Sequence, residues 1–392
     1  MLLVFDEHTI WILSLSFFIL TFADAFAALI GKKHGLKTYN LTGDTKSILG
    51  SAVFFVTTMV VMSFFVEFLY LLNLNVHTSF FEKIDFGFVT FLVIISTILT
   101  IIESVSSKGL DNLTVPLAAA FLISVITKNP ESFLIESFSM AIILSFLITI
   151  TSYRLKFLTL NGSVVTFLMA TFIFGLGGIK WTLPILTFFI LSSLISKFRK
   201  QRNKRVEEYF DKTGNRDYLQ VLANGGVAWM LIILYQLFDN EVFYLLYITS
   251  IAAVCADTWS TEIGTLFRTK TYNILNFNPV EQGTNGGISI IGTIGGLLGS
   301  FIVTLTAFYW IQNHFIFVIV LIGLFGSLLD SFIGAKYQAV FQCGKCGLIT
   351  ERKTHCMAPT VKIRGFGLVN NDFVNISTGA IASLIFYLIT IL

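Results

Sequence analysis

The stretch Glu241–Gly264, EVFYLLYITSIAAVCADTWSTEIG, opens as a nearly unbroken apolar run and closes on Asp257, Thr258, Ser260, Thr261 and Glu262. An apolar run of about 20 residues has the length of a helix that crosses a bilayer. An ionised carboxylate inside such a helix costs about 3 kcal/mol or more, so Asp257 reads as a functional residue. Asp257 and Thr261 are four apart and share a helix face. Glu262 lies about 140° further round, so joint metal binding with Asp257 requires the helix to loosen there.

The rest of the chain extends the same reading. Hydrophobic residues make up 55 % and charged residues 12 %, against about 25 % charged in a soluble domain. Mean hydropathy is +0.81. Phe alone occurs 41 times, which suits lipid-facing surface and helix packing. Because lipid satisfies no backbone group, the apolar runs must be helices. They fall near 9–30, 48–74, 87–104, 110–127, 132–152, 161–177, 181–197, 219–238, 241–261, 285–309, 313–335 and 369–392. The expected fold class is therefore all-α, a polytopic membrane protein of about twelve transmembrane helices. The first run, Thr9–Ile30, follows Asp6 and Glu7 rather than a basic stretch, and reads as a helix that stays. A net charge of +3 is too small to suggest a nucleic-acid partner.

Lysine and arginine in the loops orient the chain. Alternate loops carry Lys32, Lys33, Lys37 and Lys46; Lys108; Arg154 and Lys156; Lys197–Arg216 with eight basic residues; Arg268 and Lys270; and finally Lys336–Arg364. The intervening loops, with Glu82, Lys83 and Asp85 or Asp239 and Glu241, are poor in basic residues. Twelve spans place every basic loop on one face, expected to be cytoplasmic, with both termini outside. The 197–217 loop is either a solvated segment held by anionic lipid or a basic rim that draws in phosphate. The organisation expected is a unit over 1–152 and a second over 153–392, the latter containing this basic loop and a Cys-rich loop, 341–360.

An internal repeat is visible. Ala23-Asp24, Ile30-Gly31 and Lys37-Thr38-Tyr39-Asn40 recur as Ala256-Asp257, Ile263-Gly264 and Lys270-Thr271-Tyr272-Asn273, eight identities in 18 positions. Gly109-Leu110-Asp111-Asn112 opens one helix and Gly367-Leu368 with Asn371-Asp372 the last. Both copies of the first motif end a helix running in the same direction, so the repeat is parallel, spans 1–4 matching spans 9–12.

Several motifs carry chemistry. The turn Gly283-Thr284-Asn285-Gly286-Gly287 allows close backbone approach, and a helix N-terminus after it would aim amides at a phosphate. Glycine packing between helices is the competing reading, and the natural one for Gly292, Gly295, Gly296 and Gly299. The first copy has Gly43-Asp44-Thr45-Lys46-Ser47 at the equivalent place, with a lysine the second lacks. Asp330 stands in an otherwise apolar run beside Ser327 and Ser331. Asp372, among Asn370, Asn371 and Asn375, is either functional or a helix-start residue favoured by the dipole. Cys343-x2-Cys346 with His355-Cys356 fits a tetrahedral zinc site, provided the adjacent His and Cys can turn toward one ion; unpaired thiols or a disulfide are the alternatives. Cys255 reads as packing. Glu103 lies at a helix end and needs no special role, and Glu67 and Glu136 carry no assignment.

From about Asn161 onward the chain resembles the family of plant and cyanobacterial phytyl-phosphate kinase and animal transmembrane protein 19. The resemblance rests on Val221–Gly225, Ala256-Asp257-Thr258-Trp259 with Glu262-Ile263-Gly264, Gly283–Ser289, His355-Cys356 and Asn371-Asp372 with Val374-Asn375. The N-terminal part is similar to the end of a phytol kinase or dolichol kinase, in Asp24-Ala25-Phe26-Ala27 with Gly31, Lys46-Ser47 with Gly50-Ser51, and Asp111-Asn112. The resemblance implies phosphorylation of an isoprenyl monophosphate to the diphosphate with a nucleoside triphosphate, CTP, as donor, and an alcohol-kinase-like first half. It implies Mg2+ held by Asp257, Glu262 and Asp330, with Asp372 beside them in a catalytic role. Phosphate is then cradled by Gly283, Thr284, Asn285, Gly286 and Gly287, with Asn224 and Asn371 orienting substrate or nucleotide. Asp24, Lys46 and Asp111 are the corresponding binding residues of the first half. The prenyl tail would stay in the bilayer while its phosphate reaches the cytoplasmic face. A secondary transporter is the rival class, since repeats and polar residues inside helices suit it; transporter sites, however, lie at the bilayer midplane, whereas these clusters sit at helix ends. A non-catalytic scaffold leaves the carboxylates unexplained.

Overall fold

A computed structural model of the chain describes residues 10–71, 86–128, 133–203, 214–267 and 269–391. Glu82, Lys83, Asp85, Arg268 and the 204–213 part of the basic loop lie outside the described residues. Helix dominates, as the hydropathy requires. Among the described residues ten helices are long and apolar enough to cross a membrane, and Ile290–Leu305 is a shorter eleventh. One of the ten, α7 (Leu160–Arg202), has 43 residues, about 65 Å of helix against a hydrocarbon core of about 30 Å. It is interrupted at Gly178, whose φ of 58° and ψ of −152° are not helical. The interruption separates the two spans expected at 161–177 and 181–197.

The chain folds as two compact units, Met1–Leu176 and Gly177–Leu392. The seam at 152/153 expected from the sequence falls one helix earlier. In the first unit, α1 (Ile10–Ile19) and α2 (Ala25–His34) are joined by a π-helical turn, Leu20–Asp24. The hairpin β1 (Thr38–Asn40) and β2 (Thr45–Ser47) leads to α3 (Ile48–Leu71), α4 (Phe86–Val105), α5 (Asp111–Lys128) and α6 (Phe133–Arg154). In the second, α8 (Tyr218–Phe238) precedes α9 (Val242–Leu266), the central helix, which packs on α8, α10 (Ile290–Leu305), α11 (Asn313–Tyr337) and α12 (Asn371–Ile391). The α9–α10 contact is close because Gly292, Gly295, Gly296 and Gly299 face it; a Cβ on Gly296 would stand 3.0 Å from Ala256 O.

Short sheets occupy the loops. β3 (Thr271–Asn273) lies between β4 (Pro279–Val280) and β5 (Gly287–Ile288). After α11, β6 (Val340–Gln342) pairs with β7 (Ile349–Thr350) and β10 (Val361–Arg364), while β8 (Thr354–His355) and β9 (Ala358–Pro359) form a separate hairpin. The expectation that Gly283–Gly287 opens a helix is corrected here. The turn ends in β5, and α10 begins at Ile290 behind an N-cap, Ser289, whose hydroxyl takes up the Gly292 amide at 3.1 Å. The amide donors of that helix start are therefore partly spent within the protein.

Candidate functional site

The polar face of α9 is read directly from spacing: Asp257, Ser260, Thr261, Gly264 and Thr265 recur at three- and four-residue intervals and line one cleft. The facing wall is Asp330, Ser331 and Gly334 of α11, and the loop Gly283–Gly287 closes the cleft with Gln338, Glu351 and Asn371. Its volume is about 90 Å³, room for several water molecules.

Asp257 of α9 and Asp330 of α11 face each other in the cleft, close enough to interact, and Thr378 Oγ1 of α12 donates to Asp330 Oδ2 at 3.1 Å. Two carboxyl groups at such spacing either share a proton or embrace a cation, since two bare negative charges there repel strongly. Opposite them, Gly283 and Gly286 adopt φ of +86° and +76°, a backbone that glycine reaches without strain. The amides of Thr284 and Gly287 are used inside the turn, donating to Glu281 O at 3.2 Å and Thr284 O at 2.9 Å. The amides of Gly283, Asn285 and Gly286 donate to no described residue, and Asn285 Nδ2 is buried with no partner. Carboxylates on one wall and unspent N–H donors on the other form a site for a cation and an anion together.

Other residues named from the sequence lie elsewhere. Glu262 does not join Asp257 and Asp330. It accepts from Arg199 Nε at 2.7 Å and Ser196 Oγ at 2.6 Å, on the opposite side of α9, as its 140° offset dictates without any loosening of the helix. Asn224 Oδ1 accepts from Asn375 Nδ2 at 3.1 Å, tying α8 to α12 outside the cleft. Asn371 lines the cleft, whereas Asp372 is buried one position on and is not among the lining residues. Sequence reasoning missed Thr378, Gln338 and Glu351. Thr378 could have been found, because it stands seven residues, or two turns, beyond Asn371.

The first unit repeats the local plan with other charges. Asp24 ends the π-helical turn, and such turns occur where a side chain is re-aimed at a functional site. Asp24, Glu103 and Asp111 bring a carboxylate oxygen each within 4.8 Å of the others. Lys46 Nζ reaches Glu103 Oε1 at 2.5 Å and Asp111 Oδ2 at 3.5 Å, and also donates to Glu103 O. Glu103 is buried and its Oε2 has no partner. Glu103 is thus more than the helix-end residue the sequence suggested. Gly31, Ser47 and Gly50 meet as Gly264, Ser289 and Gly292 do: a Cβ on Gly31 would be 3.0 Å from Gly50 Cα, one on Gly264 3.1 Å from Gly292 Cα.

The Cys-rich loop also converges. The donor atoms of Cys343, Cys346, His355 and Cys356 all lie within 4.8 Å of one another. The backbone N–H of Cys346, with His355 and the N–H of Lys345, holds the Cys343 thiol down to about 6, and hydrogen bonding to Cys346 pushes Cys356 up to about 11.

The model of the integral membrane protein family DUF92 matches residues 143–383. The chain belongs to that family. Among curated proteins it is 31 % identical to Protein PGR of Arabidopsis thaliana, over 60 % of this chain and 90 % of that protein. It is 26 % identical to Protein VTE6, chloroplastic, of the same plant, over 58 % of this chain and 64 % of VTE6. A shorter match, 32 % over 108 residues, is to the phytol kinase of Synechocystis and covers 26 % of this chain and 40 % of that enzyme. No solved structure matches. The DUF92 membership and the many apolar helices make this a multi-pass integral membrane protein, with a phytol kinase among its relatives.

Proposed function

We propose that Gly177–Leu392 is the catalytic unit of a membrane kinase that transfers a phosphoryl group from a nucleoside triphosphate, CTP, to an isoprenyl monophosphate at the cytoplasmic face. The observation that carries the reading is the Asp257–Asp330 pair facing the Gly283–Gly287 turn in one cleft at the ends of α9 and α11. Phosphoryl transfer needs positioning and charge neutralisation more than covalent chemistry. The donors around the pair are all oxygen (Asp257, Asp330 and the Thr378 hydroxyl), the set a hard divalent cation prefers, so the residues present fit Mg2+. Bound there, magnesium would offset the phosphate charge. Asn285 Nδ2 and the free amides of the turn would hold non-bridging phosphate oxygens, and the Ser260, Thr261 and Ser331 hydroxyls lie along the same wall. An apolar chain attached to the acceptor phosphate would remain against the exposed apolar surfaces of the helices.

The shared order of motifs, and the recurrence of the Gly31–Gly50 contact as Gly264–Gly292, support reading the units as two copies of one ancestral unit. The first also fits a divalent cation: three carboxylates against one lysine leave two negative charges, and Glu103 Oε2 lacks a partner. We infer that it phosphorylates the alcohol, supplying the monophosphate.

The test is transfer of label from each γ-labelled nucleoside triphosphate to isoprenols and isoprenyl monophosphates, in membranes containing the chain. Asp257→Asn should abolish diphosphate formation from the monophosphate, and Asp24→Asn formation of monophosphate from the alcohol. No transfer from any nucleotide, with substrate uptake into vesicles instead, would replace the kinase by a transporter.

A further inference from the structure

The loop between α11 and α12 stands apart from the cleft chemistry, and its geometry points to a metal. Cys343 and Cys346 sit on the turn between β6 and β7. That turn closes through Gly347 N donating to Cys343 O at 2.9 Å and Cys343 N donating to Leu348 O at 3.0 Å, with Gly347 at φ +72°. The second pair sits on another turn. His355 and Ala358 are cross-strand partners in the β8–β9 hairpin, and the two residues between them, Cys356 and Met357, have φ of 50° and 56°. Consecutive left-handed residues make the tight turn that suits a right-twisted hairpin, but both carry a Cβ that this backbone disfavours. The turn resolves the difficulty of adjacent ligands, since it swings the Cys356 thiol back toward His355. Cys356 Sγ is then 3.2 Å and Cys346 Sγ 3.4 Å from His355 Nδ1.

The strands that hold this region are short. β6–β7 and β8–β9 are each two residue pairs long, Met357 is fully exposed, and the cysteines are not disulfide-bonded. A loop with so few buried apolar residues gains stability from a cross-link. We propose that Cys343, Cys346, His355 and Cys356 bind one Zn2+. Three sulfurs and one imidazole nitrogen are a soft set matched to zinc, and four protein donors leave no open position, so the ion is structural. Its effect reaches the cleft: Glu351 lies between the two ligand pairs in sequence, and its Oε1 accepts from Gln338 Nε2 at 2.8 Å where both line the cleft. The zinc therefore fixes the segment after β7 that presents Glu351 there.

The experiment is metal analysis of the full chain purified in detergent under reducing conditions. About one zinc per chain is expected, falling at least tenfold in Cys346→Ser and in Cys356→Ser. Cobalt exchanged into the wild-type protein should give the visible absorption of a tetrahedral thiolate site, which also answers the case where a variant fails to fold. Releasing the ion with a mercurial should open Lys345, Arg352 and Lys353 to trypsin, a readout that does not depend on catalysis. Zinc-free protein that gives no cobalt spectrum, zinc retained in both variants, or a Cys343–Cys346 disulfide found by mass spectrometry would each overturn the assignment.

Discussion

Gly286→Ala tests the site through its backbone. Gly286 has φ +76°, and a Cβ there would lie 2.3 Å from Ala335 Cβ and 2.9 Å from both Ala335 Cα and Ser331 O. The left-handed conformation costs an alanine about 1–2 kcal/mol. Forcing a methyl group against the α11 backbone, which cannot swing aside as a long side chain would, adds about 1–3 kcal/mol. The sum is roughly 2–5 kcal/mol, a fall in melting temperature on the order of 4–20 °C for a unit of this size. The turn has one escape, to lift off α11. Stability is then spared, but Thr284 and Asn285 leave the Asp257–Asp330 pair and transfer is lost. Thermal unfolding in detergent and the labelled-phosphate assay, run together, catch either outcome. Gly226→Ala is the control: no atom lies within 4 Å of its Cβ position inside α8, so it should be neutral or stabilising by up to about 1 kcal/mol. A Gly286→Ala protein with wild-type melting and wild-type activity would refute the packing of the turn on α11, and the cleft with it.

Asp257→Asn and Asp330→Asn should each lower transfer to the monophosphate at least about 100-fold while leaving the melting temperature near that of the parent; activity within tenfold of wild type would remove the pair from the mechanism. Glu262→Ala should instead act on stability, by roughly 1.5–3 kcal/mol, because it takes a charged hydrogen-bond partner from the buried Arg199, and Arg199→Met with Glu262→Met should recover most of the loss in a melting assay. Lys46→Met should abolish phosphorylation of the alcohol but leave the monophosphate reaction intact in the same membranes. Asn285→Ala should raise KM for the phosphate donor more than it lowers kcat, and the reverse split would show that the amide acts only in the transition state.

What was legible in the sequence follows from how far each signal travels. Span positions were readable because burial in lipid demands about 20 apolar residues whatever the tertiary contacts, and Asp257 and Asp330 stood out because a carboxylate in a spanning helix is costly. Gly178 was visible as the gap between two spans, although not as the single backbone reversal of φ that makes it. Glu262 was placed with the magnesium because the resemblance groups it with Asp257; the helix period already argued otherwise, and Arg199, 63 residues away, supplied its true partner. Glu351 and Gln338 could not be found, since they flank short strands of a three-stranded sheet, and strands of two to four residues leave no periodic mark. The Cys-rich loop was half legible: spacing picked out Cys343, Cys346, His355 and Cys356, but only the two left-handed residues at Cys356 and Met357 bring the adjacent His and Cys toward the other pair.

The charges of the two units carry the argument one step further. From Asn40 to Ser47 the first unit uses 7 steps, whereas the matching interval from Asn273 to Ser289 is 16. The longer interval is the segment that builds the glycine turn, and the position before the capping serine changes from Lys46 to Ile288. One unit thus meets its carboxylates with a charged side chain and the other with neutral N–H donors. Among the described residues no lysine or arginine lines the Asp257–Asp330 cleft, while Asp257, Asp330 and Glu351 all do. A triphosphate approaching three carboxylates without a counter-charge is repelled, and neutral amides orient an anion without neutralising it. If the proposed reaction occurs there, nucleotide must enter together with its divalent cation, so donor affinity in the second unit should fall far more steeply with cation depletion than in the first, where Lys46 remains. Equal dependence in the two half-reactions, measured with alcohol and with monophosphate as acceptors, would show that the lysine and the turn do not play these different electrostatic parts.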